Sequence, residues 1–202
     1  MSETMSASHA AADRHPIGLI VTDDLQRNRL TVFFRLLLAI PHLIVVTLWS
    51  VVAMLAVLVA WFVGVFTGRV PDGLHNFIAA FVHYSTRVTA YIFLLADPWP
   101  PFSGSQGSYP IEVRIDPSQP QSRLTIFFRV FLAIPALLLT YVFRGVNQIV
   151  ALLGWFYALA TGRMNAGMRD ISAWLLRYET QTYCYVFLLT GRYPSLSGAP
   201  TA

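Results

Sequence analysis

The sequence contains no lysine. All 14 basic residues are arginine, and charged side chains make up only 12% of the 202 residues. Ordinary soluble domains carry about 25% charged residues. So little charge excludes a disordered chain, which is polar and charge-rich. It also argues against a soluble globular domain, because too little polar surface exists to cover the apolar side chains. There is one cysteine, Cys184, so no intramolecular disulfide forms, and its apolar surroundings favour a small buried residue. Catalytic motifs are missing too: no Gly-x-Ser-x-Gly, no Walker loop and no Gly-x-Gly-x-x-Gly. No His-x-x-x-His or Cys-x-x-Cys occurs, so no metal or other cofactor is expected. The arginines form no run, so nucleic acid is not an expected partner. Residues 1–15 lack an apolar stretch; they read as a disordered lead and not as a cleavable signal.

What the sequence has is apolar surface. Hydrophobic residues are 55% and aromatic residues 14%, with a mean hydropathy of +0.56, a formal charge of +4 and a pI near 9.5. Single arginines beside apolar segments read as membrane flanks. The expected class is an integral membrane protein.

The chain is a tandem duplication. Residues 16–104 align with 110–198 without a gap, and about one position in three is identical. Arg29-Leu30-Thr31-Val32-Phe33-Phe34-Arg35 returns as Arg123-Leu124-Thr125-Ile126-Phe127-Phe128-Arg129. Leu38-Ala39-Ile40-Pro41 returns as Leu132-Ala133-Ile134-Pro135. Trp61-Phe62, Thr67-Gly68-Arg69 and Phe93-Leu94-Leu95 likewise return at 155, 161 and 187. The order R-L-T-x-F-F-R, L-A-I-P-H, W-F, T-G-R and L-L-x-D-x-x-P-P-F resembles the DUF4389 family, a group of bacterial, largely actinobacterial, membrane proteins. The resemblance covers nearly the whole chain, twice, and implies a bacterial plasma-membrane location but no activity. The second copy departs from it where His42 becomes Ala136, Arg87 becomes Gln181 and Pro100–Phe102 becomes Pro194-Ser195-Leu196.

Two repeats follow, 16–106 and 107–202. Each opens with a short surface strand, Ile17–Val21 and Ile111–Ile115, the latter alternating with period two. The two strands are expected to pair. Capping and turn residues at Asp24-Leu25-Gln26 and Ser118-Gln119-Pro120 announce a helix. Pro41 and Pro135 predict a kink or break. Residues 43–66 carry no charge, about 24 residues, enough for a tilted crossing of a bilayer core of about 30 Å. Thr67-Gly68-Arg69 ends that helix, and Trp61 and Trp155 fit an interfacial aromatic belt. An amphipathic helix completes each repeat, over 74–95 and 168–189.

The expected fold is therefore all-α and membrane-embedded: two helical hairpins, about four transmembrane helices, with short strands before each repeat. Arginines recur at the same ends of both copies, so the positive-inside rule starts both repeats, and leaves both termini, in the cytoplasm. The alternative bends each long apolar segment back near Ser50 or Arg144-Gly145 and lays the amphipathic helix in the interface.

A few polar positions stand out. Arg35 and Arg129, with Arg69 and Arg163, are candidates for lipid phosphate or for headgroup flanking. A candidate intramembrane polar face comprises His42, His83, Arg87, Arg144, Asn147 and Gln148, of which the last-named three share one helix face. His75 and His83 lie two turns apart, about 12 Å, too far to share one metal ion. The leading expectation is a non-enzymatic accessory or scaffold component of the envelope, partnered by the bilayer and by itself or another envelope protein. The alternatives are a small transporter or channel, and a lipid-binding protein.

Overall fold

Each repeat folds into the same four elements. In the first these are β1 (Ile17–Val21), α1 (Arg29–Phe33), α2 (Arg35–Thr67) and α3 (Asp72–Ile92). In the second they are β2 (Ile111–Ile115), α4 (Arg123–Phe127), α5 (Arg129–Thr161) and α6 (Ala166–Val186). This computed structural model describes residues 15–102, 107 and 109–197. The lead expected over 1–15 lies, apart from His15, outside them.

Local chemistry explains the boundaries. Asp23 and Asp24 accept from the backbone N–H groups of Leu25 and Gln26, closing turns two residues long. Asn28 then caps α1, its side-chain oxygen accepting from Leu30 N–H at 2.9 Å. The helix breaks at Phe34 and Phe128, where φ is near −90° and ψ near 10°. Pro41 and Pro135, the expected break points, lie inside continuous 33-residue helices. A proline removes only one ladder bond, and both helices continue through it. Neither long helix turns back near Ser50 or Arg144-Gly145, so the re-entrant alternative is not the one adopted. Both helices end on a left-handed glycine, Gly68 (φ 75°) and Gly162 (φ 73°), a conformation glycine adopts without Cβ penalty.

The expected strands pair antiparallel, with Leu19 opposite Val113. Those two residues occupy the same place in the two repeats, so an approximate two-fold axis passes through the pair. An isolated two-stranded ribbon is marginal. This one buries Ile17, Leu19, Val21, Ile111 and Val113 in the main core. The strands are exchanged: β1 packs on α6 of the other repeat and β2 on α3. The amphipathic helices α3 and α6 pack on each other, are buried over most of their surface, and carry α2 and α5 respectively.

The helix ends are exchanged as well. α4 packs on α2, and α1 on α5. Trp61 Nε1–H donates to Ile126 O at 3.0 Å, and Trp155 Nε1–H to Val32 O at 2.9 Å. Gln121 N–H donates to Gly68 O, and Arg27 N–H to Gly162 O. The two tryptophans thus bond across the repeats, a use that an aromatic belt alone does not require.

These contacts fix how the two repeats pack. The start of α5 lies beside the end of α2, and the start of α1 and α2 beside the end of α5. The long helices are antiparallel, and not parallel as two like-oriented hairpins would make them. The recurring arginines at the helix breaks serve each repeat's own clamp, described next.

Candidate functional site

The arginine at the break between short and long helix is the centre of each repeat. Arg35 is 2% exposed. Its guanidinium donates to Tyr91 O, to Ala96 O at 2.8 Å and to the Asp97 carboxylate at 2.8 Å, and lies 4.4 Å from the Tyr91 ring centroid. It therefore ties the start of α2 to the end of α3. Asp97 also accepts from Asn28 N–H at 3.2 Å and from the Thr31 hydroxyl at 3.3 Å. Beside it, Arg27 forms a two-pronged pair with Asp23 at 2.7 and 3.0 Å and donates to Leu94 O. Leu94 is left-handed (φ 62°), as is its counterpart Leu188 (φ 65°). Such strain in a non-glycine residue persists where the surroundings over-determine it; here both carbonyls are held by side chains.

The second repeat keeps the frame and changes the charges. Arg129, 1% exposed, donates to Thr190 O at 3.1 Å and to Gln121 Oε1, and lies 4.1 Å from the Tyr185 ring centroid. Gln121 stands where Arg27 stands and donates to Leu188 O at 2.9 Å. Gly191 stands where Asp97 stands. Among the described residues no carboxylate pairs with Arg129.

Both arginines are thus internal clamps, and neither guanidinium reaches out as a flank. Arg69 and Arg163 follow the helix-ending glycines, and Arg69 pairs with Asp72 at 3.0 Å in the open. The remaining polar candidates are not brought together. His42 is fully buried; its Nδ1 meets Tyr84 Oη at 2.7 Å and its ring stacks on Phe102, with Trp99 edge-on. Arg87 pairs with Glu112 of the ribbon at 2.8 Å, and His83 is partly buried on the same side of α3. Arg144 pairs with Glu179 of α6 at 2.8 Å. Asn147 is 1% exposed with neither amide atom partnered. Gln148 points elsewhere, into an apolar cavity of about 410 Å³ shared with Phe33, Leu36, Phe93 and Trp155. Cys184 is free and fully buried. Among the described residues no three His, Cys, Asp or Glu side chains gather as a metal site.

Two cavities carry polar groups. One, about 210 Å³, lies where α3 and α6 meet, with Arg144, Glu179, Ser85, Thr89 and Tyr183 in its wall. The other, about 590 Å³, is lined by Gln121, Ser122, Thr125, Thr190, Gly191 and Arg192, with Asp116 also on its wall. Sequence reasoning did not single out Arg27, Asp97, Gln121 or Glu179. The usable signal was the alignment of the repeats, in which a charge on one side faces a neutral residue on the other.

One family model, described as a domain of unknown function (DUF4389), matches the chain twice, over residues 29–104 and 123–197. No curated protein and no solved structure matches. The chain belongs to the DUF4389 family, as two tandem copies.

Proposed function

We propose that this member of the DUF4389 family is a membrane-embedded, non-enzymatic component of the bacterial cell envelope, inserted through the apolar face of α2 and α5. One observation carries the reading: these helices each hold a long apolar stretch and the rest of the chain leaves it uncovered. Over the most apolar 18-residue window of α2 the mean hydropathy is 2.8 and 11% is buried; for α5 the values are 1.6 and 22%. A core helix of comparable apolarity in a soluble protein is mostly covered. Leu36, Leu48 and Phe66 are 73%, 66% and 74% exposed, and a continuous patch of this kind marks contact with a membrane or a partner.

The other side of the molecule supports an orientation. The ribbon carries Glu112 and Arg114 on its outer face, with Thr22 and Asp24 exposed beside it. Open strand edges do not lie against acyl chains, so the ribbon side faces water while α2 and α5 face lipid. The test is depth-dependent quenching in liposomes, with single labels at Leu55→Cys and Asp24→Cys; Cys184 is buried and unlabelled. Lipid-borne quencher reaches 55 and aqueous iodide reaches 24. Failure to partition into liposomes, or lipid quenching at 24, overturns the reading.

A structural role is supported by the use of charge. Arg27 is tied to Asp23, Arg35 to Asp97, Arg87 to Glu112 and Arg144 to Glu179, in pairs that hold elements together. Such a protein acts by assembling with itself or with an envelope partner. Crosslinking from native membranes recovers that assembly; a chain that is monomeric in mild detergent and captures nothing contradicts it. A second reading, a small transporter, is favoured by the polar cavity between α3 and α6. Solute flux in proteoliposomes that Arg144→Ala abolishes supports it, and flux indifferent to that change removes it.

A further inference from the structure

We propose that the second repeat binds a phosphate-type oxyanion beside Arg129, in the place that the Asp97 carboxylate fills in the first repeat. The two repeats supply the comparison. In the first, one carboxylate receives three donors: the Arg35 guanidinium, the Asn28 N–H and the Thr31 hydroxyl. In the second, the matching donors are Arg129, Ser122 and Thr125, and the acceptor is gone because Gly191 has no side chain. Ser122, Thr125 and Gly191 all line the 590 Å³ cavity. So do Gln121 and Thr190, the two residues that cover Arg129.

Charge points the same way. A buried cation is costly unless it is paired, and Arg129 is 1% exposed with neutral partners only. Asp116, on the cavity wall, is 3.8 Å from Arg114 and so partly offset. The cavity far exceeds what a carboxylate needs. A guanidinium with nearby hydroxyls recognises phosphate through two parallel N–H donors. The Gln121 side chain, which now supplies Arg129 with an uncharged oxygen, swings aside as the anion arrives.

The test uses the full chain in neutral, lipid-free detergent and measures the unfolding midpoint. One arm adds inorganic phosphate, one adds phosphatidylglycerol, and one adds chloride at matched ionic strength. At about a hundredfold excess over Kd the midpoint is expected to rise by roughly 5–10 °C. A rise with phosphatidylglycerol alone identifies a lipid headgroup as the source; a rise with inorganic phosphate as well identifies free phosphate as sufficient. Gly191→Asp installs the missing carboxylate: it raises the starting midpoint and loses the response. Gln121→Glu does the same by an isosteric change, and decides the matter should Gly191→Asp fail to fold. Conversely, Asp97→Gly gives the first repeat an anion response of its own. No specific rise in the wild-type chain, or a rise undiminished in the folded carboxylate variants, overturns the proposal.

Discussion

The two repeats share a backbone and differ in how they neutralise the same buried arginine. In the first, Arg35 meets Asp97 and Arg27 meets Asp23, so two cations are balanced by two carboxylates. In the second, Gln121 replaces one cation, Pro117 and Gly191 remove both anions, and Arg129 is left with uncharged partners. Much of the geometry is retained: the ring under the guanidinium, the left-handed leucine that ends the repeat, the tryptophan bond to the opposite repeat and the left-handed glycine. The frame is therefore a property of the repeat, whereas the charges were free to diverge. The long helices diverge likewise. α2 presents Ser50, Ala53 and Met54 where α5 presents Arg144, Asn147 and Gln148, which lowers the hydropathy of α5 without bending it.

The contrast can be pressed hardest at the clamps. Arg35→Met strands a carboxylate and two backbone carbonyls, and is expected to cost about 3–5 kcal/mol. Arg129→Met strands only neutral acceptors, which places its cost nearer 1–3 kcal/mol. Denaturant unfolding of both variants checks the order; equal losses would mean that Asp97 adds nothing. A smaller, symmetric effect belongs to the reciprocal clasp. Trp61→Phe and Trp155→Phe each remove one bond to a carbonyl of the other repeat and should cost about 1 kcal/mol apiece. Unequal values would show that the two halves of the clasp are not equivalent.

A change of opposite sign is expected at Asn147. Its amide is buried without a partner, and its counterpart is Ala53. Asn147→Ala should therefore raise stability by about 1 kcal/mol, readable as a higher unfolding midpoint; a lower midpoint would reveal a partner for the amide.

The smallest effect is the pH dependence of His15. Ile17 N–H donates to its Nδ1, and its Nε2 lies 3.3 Å from Tyr193 O. Burial, with Arg192 and Arg177 nearby, holds this imidazole below its usual pKa of 6.5 despite the carbonyls of Ile17 and Tyr193. The folded state thus prefers neutral His15. Its contribution is present above pH 6.5 and is lost as pH falls through 6.5 towards the lowered folded value. His15→Gln should flatten that slope in an unfolding titration, and an unchanged slope would assign it to other groups.

Much of the architecture was legible in the sequence because it is periodic. The duplication, both strands and their pairing, the long apolar helices, their glycine ends and the amphipathic helices all follow from patterns of spacing. What escaped was exchange between the repeats. Nothing local says that β1 packs on α6, or that Trp61 bonds to Ile126, so a parallel pair of hairpins looked simplest. The prolines do not break the long helices, because each removes a single ladder bond and the helix continues on both sides of it. The polar positions were found as residues but not as a site. His42, Arg87 and Arg144 each pair within a different set of elements, and helix spacing carries no information about which element faces which.

The exchange is the central claim, and its most direct test is a pair of distances between spin labels on the chain in lipid nanodiscs. Labels at Phe66 and Leu124, both well exposed, sit at the end of α2 and the start of α4; labels at Phe66 and Phe156 sit at the ends of both long helices. Antiparallel repeats make the first distance short and the second longer by roughly 40 Å, the rise along α5 from its start to Phe156. A short distance between 66 and 156 with a long one between 66 and 124 would restore parallel hairpins and contradict the fold described.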